Sequence, residues 1–380
     1  MRTAVQRRGA LALCVVLLFC LLAGCTGHSG EKNWSELTPQ STTKLKYAKQ
    51  FTIEDYGNGL QLITIAQDRQ YLLVPEGAQA PAGMPEEVTV LQQPIQNIYL
   101  TATAAMDLFR ALNGLDAIRL SGTKESGWYL PEARQAMEAG DILYAGKYSA
   151  PDYELILAQQ CGLAVESTMI YHNPEVKEQL ESLGIPVLVD YSSYESDPLG
   201  RMEWIKLYGA LLGKEEEAAR IFDEEVAAVQ PVLNQTNTGK TVAFFYITNT
   251  GTVNVRKSGD YIAQLIRMAG GVYVPDNQNG DEENALSTMN IDMESFYAAA
   301  HDADVLIYNS TVDGELAGLD ELLKKSELLA DFKAVQNGEV WCTGKNMFQS
   351  SMSLGRMILE INAVLTQQAP DGLTYLYRLS

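Results

Sequence analysis

Residues that could carry out chemistry are few in this chain of 380 residues, and they form no catalytic pattern. The chain has three histidines, His28, His172 and His301, and five cysteines. A buried transition-metal ion usually needs several imidazole or thiolate ligands at short spacing, and the sequence offers no such group. Motifs typical of a nucleophile elbow, a zinc protease, a dinucleotide site or a redox Cys-x-x-Cys pair do not occur in it. We therefore predict no catalytic residue, no metal site and no cofactor.

Carboxylates are plentiful, and two of them occur in a repeated setting. The order Asp-x-Glu, helix, strand and Ser-Thr appears once with Asp152 and Glu154 and again with Asp292 and Glu294. This repeat predicts a duplicated topology in which Glu154 and Glu294 occupy equivalent positions. The sequence does not tell whether any two carboxylates face each other across a substrate bond, so a surface hydrolase with a carboxylate pair stays open as an alternative.

The first 45 residues predict a secreted, membrane-attached protein. Three arginines precede an apolar run that is too short to span a bilayer comfortably and that ends in Leu-Leu-Ala-Gly before Cys25. This ending resembles the bacterial lipobox, which implies a signal peptide over 1–24, cleavage before Cys25 and attachment of lipid to its thiol. Residues 25–45 are mostly small and polar and predict a flexible tether. We expect the protein at the extracytoplasmic face of a bacterial cell membrane.

The charge of the chain excludes several classes of partner. Loss of the signal peptide would remove three arginines and no acidic residue, so 25 basic residues would face 48 acidic ones, a net charge of −23. Such a surface argues against nucleic acid and against electrostatic adhesion to anionic lipid, so the lipid anchor is the expected membrane contact. The cysteines that remain beyond the anchor, Cys161 and Cys342, are expected to be buried free thiols.

Alternating apolar strands and helices indicate an α/β fold in two parts. Ahead of the alternation, strand-like runs on either side of a Gly-Asn-Gly turn at residue 58 predict an antiparallel hairpin. The longest helical stretch, 201–230, separates the two parts; Gly213 divides it and Pro231 is expected to stop or kink it. The predicted regions are an N-terminal lobe over 46–200, linker helices over 201–233 and a C-terminal lobe over 234–380.

The order of these motifs resembles the class III solute-binding lipoproteins of ABC importers for iron-siderophores, haem and cobalamin. The resemblance covers about residues 46–370 and rests on the lipobox, on "GKYSAPDYELIL", on "LESLGIPVLVDYSSYESDPLGRMEWIKLYGALLGKEEEA" and on "VWCTGKNMFQSSMSLGRMILEINAVL". It implies two Rossmann-like lobes bridged by a single long helix, with the ligand in a cleft between the lobes. A helix over about 214–230 would span ~25 Å and permit only small closure.

The resemblance also implies partners and docking residues. Members of this family carry one glutamate on each lobe that docks on arginines of the permease. Glu154 in "APDYELI" matches the first and Glu294 in "NIDMESF" the second, in agreement with the internal repeat, although acidic residues also favour helix N-termini. The expected partners of a monomeric binding protein are thus an ABC permease with its cytoplasmic ATPase and a small-molecule metal chelate.

Three ligand classes stay open. Arginines suit an anionic ferric siderophore, aromatic and amide side chains suit a corrinoid, and Tyr148, His172 or Met347 could reach haem iron. We rank the ferric siderophore first, cobalamin second and haem third. The residues predicted to bind the ligand are Trp128, Tyr148, Tyr171, Arg201, Tyr246, Asn249, Arg256, Lys345 and Gln349.

Overall fold

The structure of the chain is a computed structural model that describes residues 33–276, 288–370 and 372–380. The predicted signal peptide and the predicted lipid attachment site, Cys25, lie outside the described residues. Within the described ranges, none of the helices has the length and apolar character needed to cross a membrane.

The chain divides into two units, of which one is small. The described part of the small unit comprises residues 33–38 and Ala80–Pro85 and contains a 3-10 helix, Trp34–Glu36. Asn33 starts that helix as its cap and pairs with Ala82 in a parallel β-bridge. All elements described below belong to the larger unit.

The larger unit begins with a five-stranded sheet. Its first hairpin turns at Asn58, whose φ of 54° lies in the left-handed region that such turns require, and the hairpin prediction is confirmed. Ser41 and Thr42, which belong to the predicted tether, join this sheet by pairing with residues 54–55. In spatial order the strands are β1 (Ser41–Thr42), β2 (Phe51–Gly57), β3 (Leu60–Ile65), β4 (Arg69–Val74) and β5 (Val88–Gln92).

A parallel sheet of five strands forms the N-terminal lobe. Its strands are short and largely buried, as expected of a sheet covered by helices on both faces. In spatial order they are β12 (Val187–Asp190), β11 (Ala164–Ser167), β6 (Ile98–Leu100), β7 (Ile118–Ser121) and β8 (Leu143–Tyr144). The helices are α1 (Ala105–Ala111), α2 (Pro131–Ala139), α3 (Tyr153–Ala158) and α4 (Pro174–Ser182), and a two-stranded ribbon is formed by β9 (Gly146–Lys147) and β10 (Ala150–Pro151).

Three helices link the lobes: α5 (Pro198–Glu203), α6 (Ile205–Leu212) and α7 (Glu215–Leu233). Gly213 ends α6 with a φ of 65°, as predicted from its position. The 19 residues of α7 span ~28 Å at ~1.5 Å per residue. Pro231, which was expected to stop or kink this helix, does not stop it, because α7 continues to Leu233. In the last turn a proline removes only one helical hydrogen bond, which the helix tolerates.

A mixed sheet of seven strands forms the C-terminal lobe. Its central strand, β13, pairs in parallel with β15 and β17 and antiparallel with β14. The strands are β13 (Thr241–Ile247), β14 (Val253–Arg256), β15 (Val272–Val274), β16 (Thr288–Ile291), β17 (Val305–Tyr308), β18 (Val340–Thr343) and β19 (Leu376–Arg378). The helices are α8 (Tyr261–Met268), α9 (Met293–Ala300), α10 (Ser310–Asp313), α11 (Leu319–Lys325), α12 (Lys333–Gln336) and α13 (Leu354–Leu365).

The two lobes share one strand order. In the N-terminal lobe the central strand β6 has β7 on one side and the pair β11 and β12 on the other. In the C-terminal lobe the central strand β13 has β15 on one side and the pair β17 and β18 on the other. Helix α3 precedes β11 as α9 precedes β17. The duplicated topology predicted from the internal repeat is therefore confirmed.

The main hydrophobic core crosses the linker. It contains Phe51 of the N-terminal sheet, Leu108 of α1, Tyr208 of α6, Phe222 of α7 and Ile358 of α13, all nearly or fully buried. Each lobe has a second, separate core on its far side. Because close-packed cores resist deformation, a core shared by both lobes restricts their relative movement.

Two buried glutamates hold the N-terminal segment against the linker. Glu203 accepts hydrogen bonds from the backbone N–H groups of residues 46–48 at 2.7 to 2.9 Å and from Lys206 Nζ at 2.6 Å. Glu195 accepts from the backbone N–H groups of residues 49–50 at 2.9 Å. Five consecutive N–H groups outside regular secondary structure are thereby satisfied, which fixes the N-terminal sheet on the lobe it covers.

Candidate functional site

The loops that follow the parallel strands of the two lobes meet at one edge. Gln349, after β18, donates from Nε2 to the carbonyl oxygen of Gly127 at 2.8 Å and accepts from the N–H of Tyr129 at 2.7 Å. Ser351 Oγ donates to the carbonyl oxygen of Ala104 at 2.7 Å. Open α/β sheets bind ligands outside the carboxyl ends of their strands, so these contacts mark the crevice between the lobes as the candidate site.

Arg201, in α5, reaches across this crevice. Its Nε donates to the carbonyl oxygen of Glu195 at 2.9 Å and its Nη2 to that of Ser193 at 2.5 Å. Its guanidinium carbon lies 3.5 Å from the ring centroid of Tyr261, the first residue of α8 in the other lobe. Burial lowers the pKa of Arg201, whereas the nearby carboxylates of Asp260 and Asp190 raise it. The charge of Arg256 lowers this pKa further. Carbonyl groups and a ring are thus its direct partners, and acidic side chains lie close enough to act on its charge.

Arg256, the last residue of β14, is the second cation of the crevice. Its Nη1 lies 3.6 Å from Asp260 Oδ2, and its guanidinium carbon lies 5.3 Å from the ring centroid of Phe348. The hydroxyl of Tyr273 donates to the carbonyl oxygen of Arg256 at 2.8 Å. Burial raises the pKa of Asp260, whereas the charges of Arg256 and Arg201 oppose this shift. Two guanidinium groups therefore lie in this part of the crevice, and acidic side chains near them, Asp260 among them, partly offset their charge.

Trp128, predicted to contact the ligand, lies in the hydrophobic core. It is 1% exposed, and its Nε1 donates to Ser121 Oγ at 3.2 Å. The next residue, Tyr129, is 42% exposed and is held by Gln349 through its backbone. The prediction for Trp128 is therefore corrected, because a side chain this buried cannot touch a ligand without local unfolding. The accessible ring of this loop is that of Tyr129.

Three other predicted contacts lie on loops of the same edge. Tyr148 is half-buried in the turn between β9 and β10, and Tyr171, after β11, is 39% exposed. Lys345, after β18, is half-buried, and its backbone N–H donates to Glu315 Oε1 at 3.1 Å. Their roles as ligand contacts stay predictions.

Tyr246 and Asn249 lie together at a cavity that Arg201 and Arg256 do not line. Both line a cavity of about 320 Å³ at the carboxyl end of β13. Val312, which is 65% exposed, lies on its other side. The remaining lining residues are Ile247, Thr248, Thr250 and Asp313. Of the predicted ligand contacts, the structure thus groups Arg201, Arg256 and Gln349 at the crevice and places this pair in a second location.

The predicted docking glutamates occupy matching positions on two helices. Asp152 caps α3 and Asp292 caps α9, each by accepting from the backbone N–H three residues later, at 3.0 and 2.6 Å. Glu154 and Glu294 are the second residues of these helices, and both are exposed. Because the same cap fixes both helix starts, the two glutamates leave equivalent helices at the same point. Their role in docking stays a prediction.

Glu166 is a buried carboxylate that sequence reasoning missed. It is 0% exposed and lies in β11, next to β6, where the strand order of the sheet reverses. The hydroxyl of Thr101 donates to its Oε2, and Oε1 has no hydrogen-bond partner among the described residues. Burial raises the pKa of Glu166 to about 7, against the opposing effect of the Thr101 bond. The available signal was an acidic residue within an otherwise apolar strand.

Metal ligands are not grouped in the described part of the chain. No cluster of three or more His, Cys, Asp or Glu side chains is placed there to hold a metal ion. Among the candidate haem ligands, Met347 is 3% exposed and packs in the core, whereas His172 is exposed. Cys161 and Cys342 are both free thiols, the first half-buried and the second buried.

The chain belongs to the periplasmic binding protein family, which matches residues 101–347. An uncharacterized lipoprotein of Methanocaldococcus jannaschii is 24% identical to it, over 96% of this chain and 94% of the relative. A second uncharacterized lipoprotein of that organism is 23% identical, over 87% of this chain and 88% of the relative. The family resemblance seen in the sequence is therefore confirmed.

Solved structures share the fold. The periplasmic heme binding protein HutB of Vibrio cholerae matches with a TM-score of 0.58 and 18% identity, over 72% of this chain and 99% of that protein. The catecholate-siderophore binding protein VctP of the same organism matches with a TM-score of 0.55 and 14% identity, over 73% and 95%. An Fe3+-hydroxamate transport protein of Saccharomonospora viridis matches with a TM-score of 0.54 and 20% identity. The match covers 72% of this chain and 93% of that protein. These matches establish an α/β fold of two Rossmann-like lobes bridged by a long helix.

Proposed function

We propose that this chain is the extracytoplasmic substrate-binding lipoprotein of an ABC importer. It captures a ferric siderophore between its lobes and delivers it to a membrane permease, whose cytoplasmic ATPase drives import. The observation that carries this proposal is the matched pair of capped helices, α3 and α9, which present Glu154 and Glu294 on equivalent points of two duplicated lobes. Two exposed carboxylates at a fixed separation suit a partner with two basic sites.

Two arginines of the crevice support an anionic chelate. Arg201 and Arg256 approach the crevice from the linker and from the C-terminal lobe, beside the carboxylate of Asp260. Arginine donors suit the oxygen atoms of a siderophore complex. Heme, a catecholate siderophore and Fe3+-hydroxamate are named for proteins of this fold, and each of these compounds contains or chelates iron. Corrinoid and haem ligands are the alternatives within the same function.

Asp260, the acidic residue beside Arg256, gives little support to the alternative that the chain is a hydrolase. Asp260 accepts the backbone N–H of Ile262 at 2.9 Å as the cap of α8 and lies beside Arg256. A carboxylate occupied in this way is poorly suited to act as one half of a catalytic pair. We therefore propose that the site binds its ligand without a reaction.

Membrane attachment through Cys25 completes the proposal. The match to lipoproteins along nearly the whole chain supports it. With a lipid anchor the binding protein stays close to its permease although its acidic surface is repelled by anionic lipid.

Reversal of both docking charges tests the proposal. In cells whose import depends on this chain, Glu154→Arg with Glu294→Arg should lower uptake of the labelled ferric chelate at least tenfold, because like charges would meet at the permease. The affinity of the purified full-length variant in detergent should stay within twofold of wild type in titrations with ferric siderophores, haemin and cyanocobalamin, followed by tryptophan fluorescence.

Glu138→Arg with Glu178→Arg is the matched control, since both residues are exposed on other helices. Normal uptake by the docking variant would remove the docking role. Absence of binding by the wild-type chain to every compound of the panel would contradict the proposed ligand class.

A further inference from the structure

One side chain of the N-terminal sheet reaches the loops that follow β11 and β12. Arg69, the first residue of β4, lies with its guanidinium carbon 5.2 Å from the ring centroid of Tyr171 and 5.0 Å from that of Tyr191. The Tyr191 ring in turn lies 5.2 Å from the ring of Tyr194. We call these four residues the tyrosine platform. The family match begins at residue 101, so Arg69 belongs to a part of the chain that precedes it.

The tyrosine platform is accessible to solvent. Tyr171 is 39% exposed and Tyr194 is 47% exposed, and the neighbouring Met169 is 46% exposed. Arg69 forms an ion pair of 2.9 Å with Asp68, but Asp68 is 72% exposed, so this pair is weak and leaves the guanidinium other donors. Large apolar side chains grouped at a surface are a common mark of a binding site.

A buried hydrogen bond fixes the strand that carries Arg69. Tyr71, two residues along β4, donates from its hydroxyl to the carbonyl oxygen of Val187 at 3.1 Å and is 4% exposed. This bond fixes β4 against β12, and with it the position of Arg69. A rigid aromatic surface loses little conformational entropy when it binds a flat ligand.

The platform borders the crevice between the lobes. The loop that carries Tyr191 and Tyr194 also supplies the carbonyl oxygens of Ser193 and Glu195 to Arg201. Arg201 in turn stacks on Tyr261 of the other lobe. One short loop thus has exposed aromatic rings and the arginine of the crevice as neighbours, so a ligand larger than a single ring can touch both.

We propose that the tyrosine platform is part of the ligand site and binds the aryl groups of an anionic, catecholate-type ferric chelate. This inference rests on the proposed function. Tyrosine rings stack on aryl rings, and the guanidinium of Arg69 lies where it can meet catecholate oxygen atoms. A hydroxamate chelate without aryl rings gains little from such a surface. The N-terminal sheet therefore contributes to ligand selection.

Two variants of the full-length chain in detergent test this inference. Arg69→Gln and Tyr194→Ala should each weaken binding of ferric enterobactin, a tris-catecholate, at least tenfold, and should change binding of ferrioxamine B, a hydroxamate chelate, less than twofold. Arg220→Gln is the matched control, because Arg220 is an exposed arginine with an acidic partner on α7, and it should bind both chelates like wild type. Circular dichroism verifies that each variant is folded.

The outcomes separate this inference from the proposed function. Unchanged catecholate affinity in both variants overturns the inference, and so does wild-type protein that binds other chelates but no catecholate; the proposed function survives in both cases. An equal loss for catecholate and hydroxamate also overturns it, because the platform would then not select aryl groups. If the wild-type chain binds no ferric chelate, the proposed function fails and this inference fails with it.

Discussion

Two buried glutamates of this chain differ in how many hydrogen bonds their carboxylates accept. Glu203 and Glu166 are both 0% exposed. Glu203 accepts from three backbone N–H groups and from the ammonium of Lys206, whereas Glu166 receives one bond from Thr101 and leaves one oxygen without a partner in the described residues. Removal from water is costly for either carboxylate, so the number of hydrogen-bond donors decides how well its charged form is stabilised. The first anchors the chain, and the second titrates near neutral pH.

The largest effect is expected where the carboxylate is fully used. Glu203→Gln should lower the free energy of unfolding by about 3–5 kcal/mol, because it leaves the buried ammonium of Lys206 without its counter-charge and disturbs three backbone bonds. Urea unfolding at pH 7 measures this change. Glu216→Gln, on the exposed side of α7, is the control and should change the value by less than ~0.5 kcal/mol. A similar small loss for Glu203→Gln would mean that burial of this carboxylate does not matter.

A pH-dependent effect is expected at Glu166. Its pKa is about 7 in the folded chain and near 4.5 when exposed, so the folded state binds this proton more tightly. The contribution of Glu166 to the free energy of unfolding should therefore fall by about 3 kcal/mol as pH rises from about 4.5 to about 7. Glu166→Gln removes this titration. The free energy of unfolding of the variant should therefore rise relative to that of the wild type across this pH range. Urea unfolding of both proteins at pH 5 and pH 8 measures this change. An equal difference in unfolding free energy at the two pH values would contradict the raised pKa of Glu166.

The smallest effect is expected from the one donor of Glu166. Thr101→Val removes the hydroxyl that lowers the pKa of Glu166, so this pKa should rise further and the ionised form should lose its bond. The variant should lose about 1 kcal/mol of unfolding free energy at pH 8 and less at pH 5. Thr52→Val, on an exposed position of β2, controls for the substitution itself. A loss that does not depend on pH would show that Thr101 acts by packing alone.

Periodic patterns made much of the fold predictable from the sequence. The alternation of strands and helices, the hairpin at Asn58 and the break at Gly213 are local signals, and each appears in the structure. The repeat around Glu154 and Glu294 predicted the shared strand order of the lobes. Such signals are readable because backbone geometry repeats every two or 3.6 residues.

The site was predictable only in part. Arg201, Arg256 and Gln349, three of the predicted ligand contacts, lie near the crevice in the linker, at the end of β14 and after β18, and their roles as contacts stay predictions. Trp128 was misassigned, because the sequence does not tell which of two adjacent aromatic residues turns inward. The contact of Tyr261 with Arg201 joins different lobes, and no local pattern announces it.

The sequence alone determined the fold class, the duplicated lobes, the long linker and the family, since these depend on periodicity and on the order of motifs along the chain. Tertiary structure decided the environment of individual polar groups. Only in three dimensions does Arg69 meet Tyr171 and does Glu203 meet residues 46–48. The same holds for Glu166, which accepts one side-chain hydrogen bond within the described residues. The physical reason is that pKa values and binding geometry depend on distances of a few ångström between groups that are far apart in the chain.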